Sequence, residues 1–214
     1  MASEIKVDTI SEKTAANGVT IDCALIKDSQ LAATAGGGLV RLETATASSS
    51  PTLTFDDFVD TSTYGSYYVV IDSIIPANNA VDLLFTFRTG GASGADKTGT
   101  YARGYAYNYL ETSSSNAGAR ETNTDFGTIV DSAGNAAGSQ HAIQAVGQFL
   151  PGNGTNSSAI LNVPLVARQS SGVVVGYYQN SNYVENLYTC TGLKFYMSSG
   201  NIASGSIHIF GVKK

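Results

Sequence analysis

Two carboxylates facing one another across a cleft can run glycoside hydrolysis, so acidic clusters are the first chemistry to look for. Asp56, Asp57 and Asp60 fall within one short run, Phe55-Asp56-Asp57-Phe58-Val59-Asp60. The run suits a calcium site or, more simply, a turn whose aspartates cap backbone donors. It has neither EF-hand spacing nor a glycine at the position that loop requires. Glu111, Glu121 and Asp125 form a looser acidic group that reads as surface. The chain has two histidines, His141 and His208, whereas catalytic zinc wants three protein ligands. No Gly-x-Ser-x-Gly elbow marks a nucleophile. The stretch from Gly90 to Gly99 is glycine-rich but lacks the Gly-Lys-Thr ending of a P-loop, and reads as a long loop. The expectation is a protein that is not an enzyme and that needs no metal or cofactor.

Binding chemistry has a better candidate. Tyr101, Tyr105, Tyr107 and Tyr109 alternate with small residues, and Arg103 shares their parity. On a strand all five point to one side, opposite Ala102, Gly104, Ala106 and Asn108. Such a face either covers the core or a subunit interface, or offers rings on which a sugar can stack. Tyr177, Tyr178, Tyr183 and Tyr188 could join either arrangement, and the sequence leaves both open.

The elements that must position these residues are strands. Across 214 residues, turn formers punctuate the chain about every 8–15 positions, with Thr, Ser, Val, Ile and Tyr between them. Expected strands cover 39–44, 53–55, 67–74, 81–87, 101–110, 143–149, 162–167, 173–178, 193–197 and 206–212. That many short strands read as all-β, an antiparallel β-sandwich of jelly-roll type. Val81, Leu83, Phe85 and Phe87 alternate as an inward face should, as do Ile207 and Ile209. Charged residues make up 14% and the net charge is −5, which argues against a nucleic-acid partner. No apolar run is long enough for a transmembrane helix, and no signal peptide is expected. Cys23 and Cys190 read as buried thiols, with one long-range bridge as the alternative.

Residues 1–34 follow a different pattern. Ile5-Lys6-Val7-Asp8-Thr9 aligns with Val19-Thr20-Ile21-Asp22-Cys23, with Asn17-Gly18 as a turn between the copies. Such a unit cannot bury its apolar side chains alone, so another chain is expected to complete it. Ile5, Val7, Ile10, Val19, Ile21 and Leu25 are the expected anchoring or stem residues. Residues 35–50 read as a small-residue linker and first strand, with the boundary near Gly36–Gly38, and 51–214 as the sandwich. The Ser/Thr-rich run 45–51 reads as a second possible boundary or a loop.

Two segments resemble a known family. Lys6-Val7-Asp8-Thr9-Ile10-Ser11-Glu12-Lys13-Thr14, followed by Asn17-Gly18-Val19-Thr20-Ile21-Asp22 and Leu25-Ile26-Lys27-Asp28-Ser29, resembles the N-terminal segment of virion proteins of tailed phages, the marine and cyanobacterial type in particular. The run Ile202-Ala203-Ser204-Gly205-Ser206-Ile207-His208-Ile209-Phe210-Gly211-Val212 resembles the last strand of jelly-roll domains in the same proteins. Cys23 departs from the family, which has glycine there. The resemblance implies a virion structural protein, a short fibre or a head or tail decoration. It would be a homotrimer attached to other virion proteins through residues 1–34, with no membrane insertion. The alternative function is a lectin-like module that recognises host cell-surface glycan.

Overall fold

A computed structural model describes residues 19–21, 24–27, 30–31, 38–109, 116–135, 142–155, 157–184, 187 and 189–214. The first copy of the N-terminal repeat, with Ile5, Val7 and Ile10, lies outside these residues, as do Cys23 and His141. The strands are β1 (Val19–Ile21), β2 (Ala24–Lys27), β3 (Gln30–Leu31), β4 (Leu39–Ser50), β5 (Thr52–Phe55), β6 (Tyr64–Pro76), β7 (Val81–Thr89) and β8 (Ala95–Asp96). They continue as β9 (Thr100–Tyr109), β10 (Asn116–Thr124), β11 (Gly127–Ala133), β12 (Ile143–Leu150), β13 (Ile160–Asn162), β14 (Leu165–Arg168), β15 (Val174–Val184), β16 (Gly192–Met197) and β17 (Ile202–Lys213).

The strands from β4 to β17 form an antiparallel sandwich of two packed sheets. The large sheet runs β10-β9-β15-β13-β12-β6-β17-β4, with β14 also between β12 and β15. The small sheet runs β11-β7-β16-β5, with β8 against β7. Chain-distant strands are nested: β6 pairs β17 and β7 pairs β16. β13 and β14 are one strand line interrupted at Pro164, which has no N–H to give to a ladder. β4 and β5 meet at Pro51, where the chain passes from the large sheet to the small one. The run 45–51 is therefore not a loop. β4 pairs β17 from Leu39 to Ser50, with Thr44 and Thr46 opposite His208 and Ser206.

The core lies between the sheets. Val81, Leu83, Phe85 and Phe87 point into it from the small sheet, and Ile207 and Ile209 from the large sheet. Aromatic rings fill the centre. Phe85 and Phe87 meet edge to face at 5.1 Å, and Phe87 stacks on Tyr101 at 5.5 Å and 12°. Gly205 has φ of +107°, and a Cβ there would stand 2.4 Å from the Ser73 carbonyl oxygen. Only glycine lets β17 approach β6 so closely at this shift of register.

Besides the two-residue β8, the sequence pattern missed two strands of the sandwich. β10 is Asn-Ala-Gly-Ala-Arg-Glu-Thr-Asn-Thr, a composition of turns, and it holds as an edge strand by pairing along its whole length with β9. β11 lacks alternation because Thr128, Ile129 and Val130 are all buried, and its register on β7 shifts twice. The N-terminal strands form a separate three-stranded sheet, β1-β2-β3. Register places Val19 opposite Ile26 and Ile26 opposite Leu31, whereas Leu25 pairs with Thr20. Leu25 thus falls in a different row from Val19 and Ile21.

Candidate functional site

β9 presents the tyrosine ladder. It lies between β15 and β10 in the large sheet, and its odd positions point toward the small sheet. Its N-terminal half is roofed over and its C-terminal half emerges. Tyr101 and Arg103 are buried, while Tyr105 and Tyr107 are half-buried. The side chain of Tyr109 is outside the described set.

Tyr101 is a core residue. Its hydroxyl donates to the Lys97 carbonyl at 2.9 Å and accepts the Phe87 N–H at 3.1 Å. Burial pushes its pKa well above the usual phenol range. It has no face to offer a ligand.

Arg103 ties three strands together. Its Nη2 donates to Glu121 Oε2 on β10 at 2.6 Å and to Asp131 Oδ2 on β11 at 2.8 Å. The second bond crosses from the large sheet to the small one. The guanidinium also lies over the Tyr105 ring, 4.2 Å from its centroid. Tyr105 donates to Glu121 Oε1 at 3.0 Å, and Tyr177 donates to Asp131 Oδ2 at 3.4 Å. Burial works against the charge on Arg103, but the two carboxylates outweigh it and raise its pKa. Burial raises the pKa of Asp131, against the opposing pull of Arg103. Arg103 Nε and Nη1 are buried and meet no acceptor among the described residues.

Chemically, this arrangement is a tie between strands. Both Glu121 oxygens and one Asp131 oxygen already accept hydrogen bonds. The tyrosines pack on one another: Tyr105 and Tyr107 are stacked at 5.9 Å and 18°, with Tyr177 tilted against both. Along the strand, Arg103 flanks Tyr105 on one side and Tyr107 on the other, which leaves little ring face for a pyranose. The pairing of Arg103 with Glu121 and Asp131 was not foreseen. Its partners lie 18 and 28 residues away, on the two strands the sequence did not reveal. The available signal was Arg103 itself, a lone cation on an aromatic inward face.

A second charge cluster fastens the glycine-rich loop. Arg88 Nε and Nη2 grip Asp56 Oδ1 and Oδ2 at 2.8 and 3.1 Å. Arg88 Nη1 holds Asp96 Oδ1 at 2.5 Å, and Lys194 pairs with Asp96 Oδ2. The 90–99 stretch is therefore not a free loop. It makes a 3₁₀ turn, Gly91–Ser93, and returns as β8 onto β7.

The acidic run is divided among separate tasks. Asp56 belongs to Arg88, and Asp60 closes its own turn. Asp60 Oδ1 accepts from Ser62 Oγ at 2.5 Å, Ser62 N at 2.9 Å and Thr63 N at 3.3 Å. Among the described residues, no three potential ligands are grouped to hold a metal ion. His208 is half-buried on β17, with Nδ1 2.9 Å from Thr44 Oγ1. Cys190 is buried, and its Sγ donates to the Gly192 carbonyl oxygen at 3.0 Å. Asn153 Oδ1 accepts from the Thr155 and Ser157 amides, a turn of its own making.

Compared with protein-family models, with curated proteins and with solved structures, the chain matches none.

Proposed function

We propose that this chain is a structural display protein of a tailed-phage virion. Its N-terminal segment attaches it to the particle, and its sandwich projects as a knob. One observation carries the reading. The described N-terminal strands have three, four and two residues and form a sheet of their own, pairing with no described strand of the sandwich. A sheet that small is marginal in water unless something covers an apolar face. No described strand of the sandwich pairs with it, and in this reading its partner is another chain, either a further copy or a different virion protein. The resemblance of residues 6–29 to the phage segment names the setting in which such a partner occurs. The chain acts without catalysis in this reading, since its prominent charged groups are engaged in ties between strands.

The glycan-binding alternative draws less support. Tyr101 is core, and Tyr105 is flanked by Arg103 and Tyr107.

The test is truncation. A chain lacking residues 1–34 should keep a cooperative thermal transition and the circular dichroism of a β-protein, yet be missing from purified virions. Normal incorporation of the truncated chain would overturn the proposal.

A further inference from the structure

The two outer faces of the sandwich differ in kind. Outward positions of the small sheet include Asp82, Arg88 and Lys194, charged groups that suit water, although Leu84 and Thr86 on the same parity are buried. The large sheet turns aliphatic and aromatic side chains outward. On β12, which reads Ile-Gln-Ala-Val-Gly-Gln-Phe-Leu, the outward positions are Gln144, Val146, Gln148 and Leu150. Val146 is 56% exposed, and Val166 on the neighbouring β14 is 50% exposed. Among the described side chains of the sandwich strands, the large apolar ones that are exposed lie on this one face, Leu39 on the edge strand included.

These side chains are arranged as a groove and a ridge. Val70, Val146 and Val166 floor a groove of about 800 Å³, rimmed by Asp72, Gln144 and His208. Along the strands toward the opposite end, Leu150, Ile160 and Tyr183 stand in register on β12, β13 and β15, with Tyr68 nearby on β6. Soluble monomers rarely expose a contiguous apolar patch of this kind.

From this relief we infer that the outward face of the large sheet binds a second copy of this chain, ridge into groove. A twofold axis lying in the contact plane and running across the strands brings the groove of each copy over the ridge of the other. That is the isologous arrangement, in which one patch supplies both halves of the fit. Charge favours the same occupant. The chain carries a net charge of −5, yet Asp72 is the only acid among the described outward positions of β6, β12, β13 and β14. Two acidic copies therefore meet where their like charges are fewest. Size is sufficient as well. Strands about 4.8 Å apart and a rise of about 3.4 Å per residue give the face from β4 to β15 roughly 600 Å² per copy. Two such faces bury more than the roughly 1,000 Å² expected of a specific contact. The contact is separate from the attachment reading, which concerns residues 1–34 only.

The experiment uses the full chain and light scattering over a range of concentrations. The wild type should show an even-numbered mass. Val146→Asp in the groove and Leu150→Asp on the ridge should each halve it while leaving the thermal transition in place, because both side chains are exposed. A mixture of Val146→Asp chains with Leu150→Lys chains should recover the paired mass, since the new charges then face each other. A wild-type monomer would overturn the inference and assign the face to a different protein. So would a mass that neither aspartate variant changes, and failure of the mixture to recover would overturn the ridge-into-groove fit. Virion incorporation is a different readout, so this result and the truncation result can fail independently.

Discussion

The guanidinium of Arg103 lies over the ring of Tyr105, 4.2 Å from its centroid, and from there it reaches a carboxylate in each sheet. A flat cation can stack on a ring and donate sideways at once, which a lysine ammonium cannot do. The tie joins β9 and β10 of the large sheet to β11, the edge strand of the small one, and so closes the two sheets onto each other there.

Replacing Arg103 tests that closure. Arg103→Met should cost about 1 to 2 kcal/mol in chemical denaturation, since it leaves two partly solvated carboxylates without their cation. Arg103→Lys should lose much of the same stability, because one ammonium serves both acids poorly. The substitution also has a pH signature. Burial already raises the pKa of Asp131 and Arg103 opposes that rise. Without Arg103 the folded pKa climbs further above the unfolded value. A group raised on folding adds stability below its unfolded pKa and loses it as pH rises through the folded one. Arg103→Met should therefore be relatively more stable near pH 4 than near pH 7. An unchanged denaturation midpoint at both values would show that the tie is decorative.

The sequence made the inward faces readable but not their partners. Val81, Leu83, Phe85 and Phe87 share one inward parity, though Leu84 and Thr86 between them are buried as well, and Tyr101 and Arg103 share a parity that the structure keeps. What decides the fate of the tyrosines is Asp131 and Glu121, and these stand on strands with no strand-like pattern. β10 is built of small polar residues and survives through pairing alone, a non-local effect that single-residue preferences miss. The outward apolar face did leave a trace in the sequence, because Val146 and Leu150 sit where a half-solvated strand would place polar groups. It was hidden by the apolar residues of opposite parity, Ile143, Ala145 and Phe149, which supply the core.

Gly94 is the hinge on which the loop clasp depends. Its φ is +39°, and a Cβ there would come 2.3 Å from Arg88 Nη2 and 2.4 Å from Asp56 Oδ2. Gly94→Ala should displace the ion pair and strain the backbone together, costing more than about 1 kcal/mol. Gly172→Ala, also at positive φ but with nothing within 4 Å of an added Cβ, serves as the control for backbone strain alone. Equal melting temperatures for Gly94→Ala and wild type would mean that the clasp can shift without penalty.

Asp60 gives an acid-sensitive turn. Hydrogen bonds from the Ser62 side chain first, then from Thr63 and the Ser62 amide, lower its pKa from 3.8 to about 2. A group lowered on folding adds stability above its unfolded pKa and loses it as pH falls through the folded one. The contribution should be intact above pH 4 and disappear between pH 4 and pH 2. Asp60→Asn keeps an acceptor oxygen but removes the charge, so its stability should change less steeply over that interval. Parallel acid-denaturation curves for the two chains would contradict the assignment.

Glu43 behaves in the opposite sense. Burial on β4 raises its pKa above 4.5, and the nearby charges of Asp56 and Asp57 push the same way. Its ionised form is thus a small liability at neutral pH. The stability tied to the protonated form is complete below pH 4.5 and is lost as pH rises through the higher folded value. Glu43→Gln should raise the melting temperature at pH 7, by the equivalent of a few tenths of a kcal/mol because the site is partly solvated. The advantage should shrink steadily as the wild type protonates, so that the two chains converge near pH 4. A gain that stayed constant across this range would have to come from packing of the amide, and the repulsion from Asp56 and Asp57 would then not be its source.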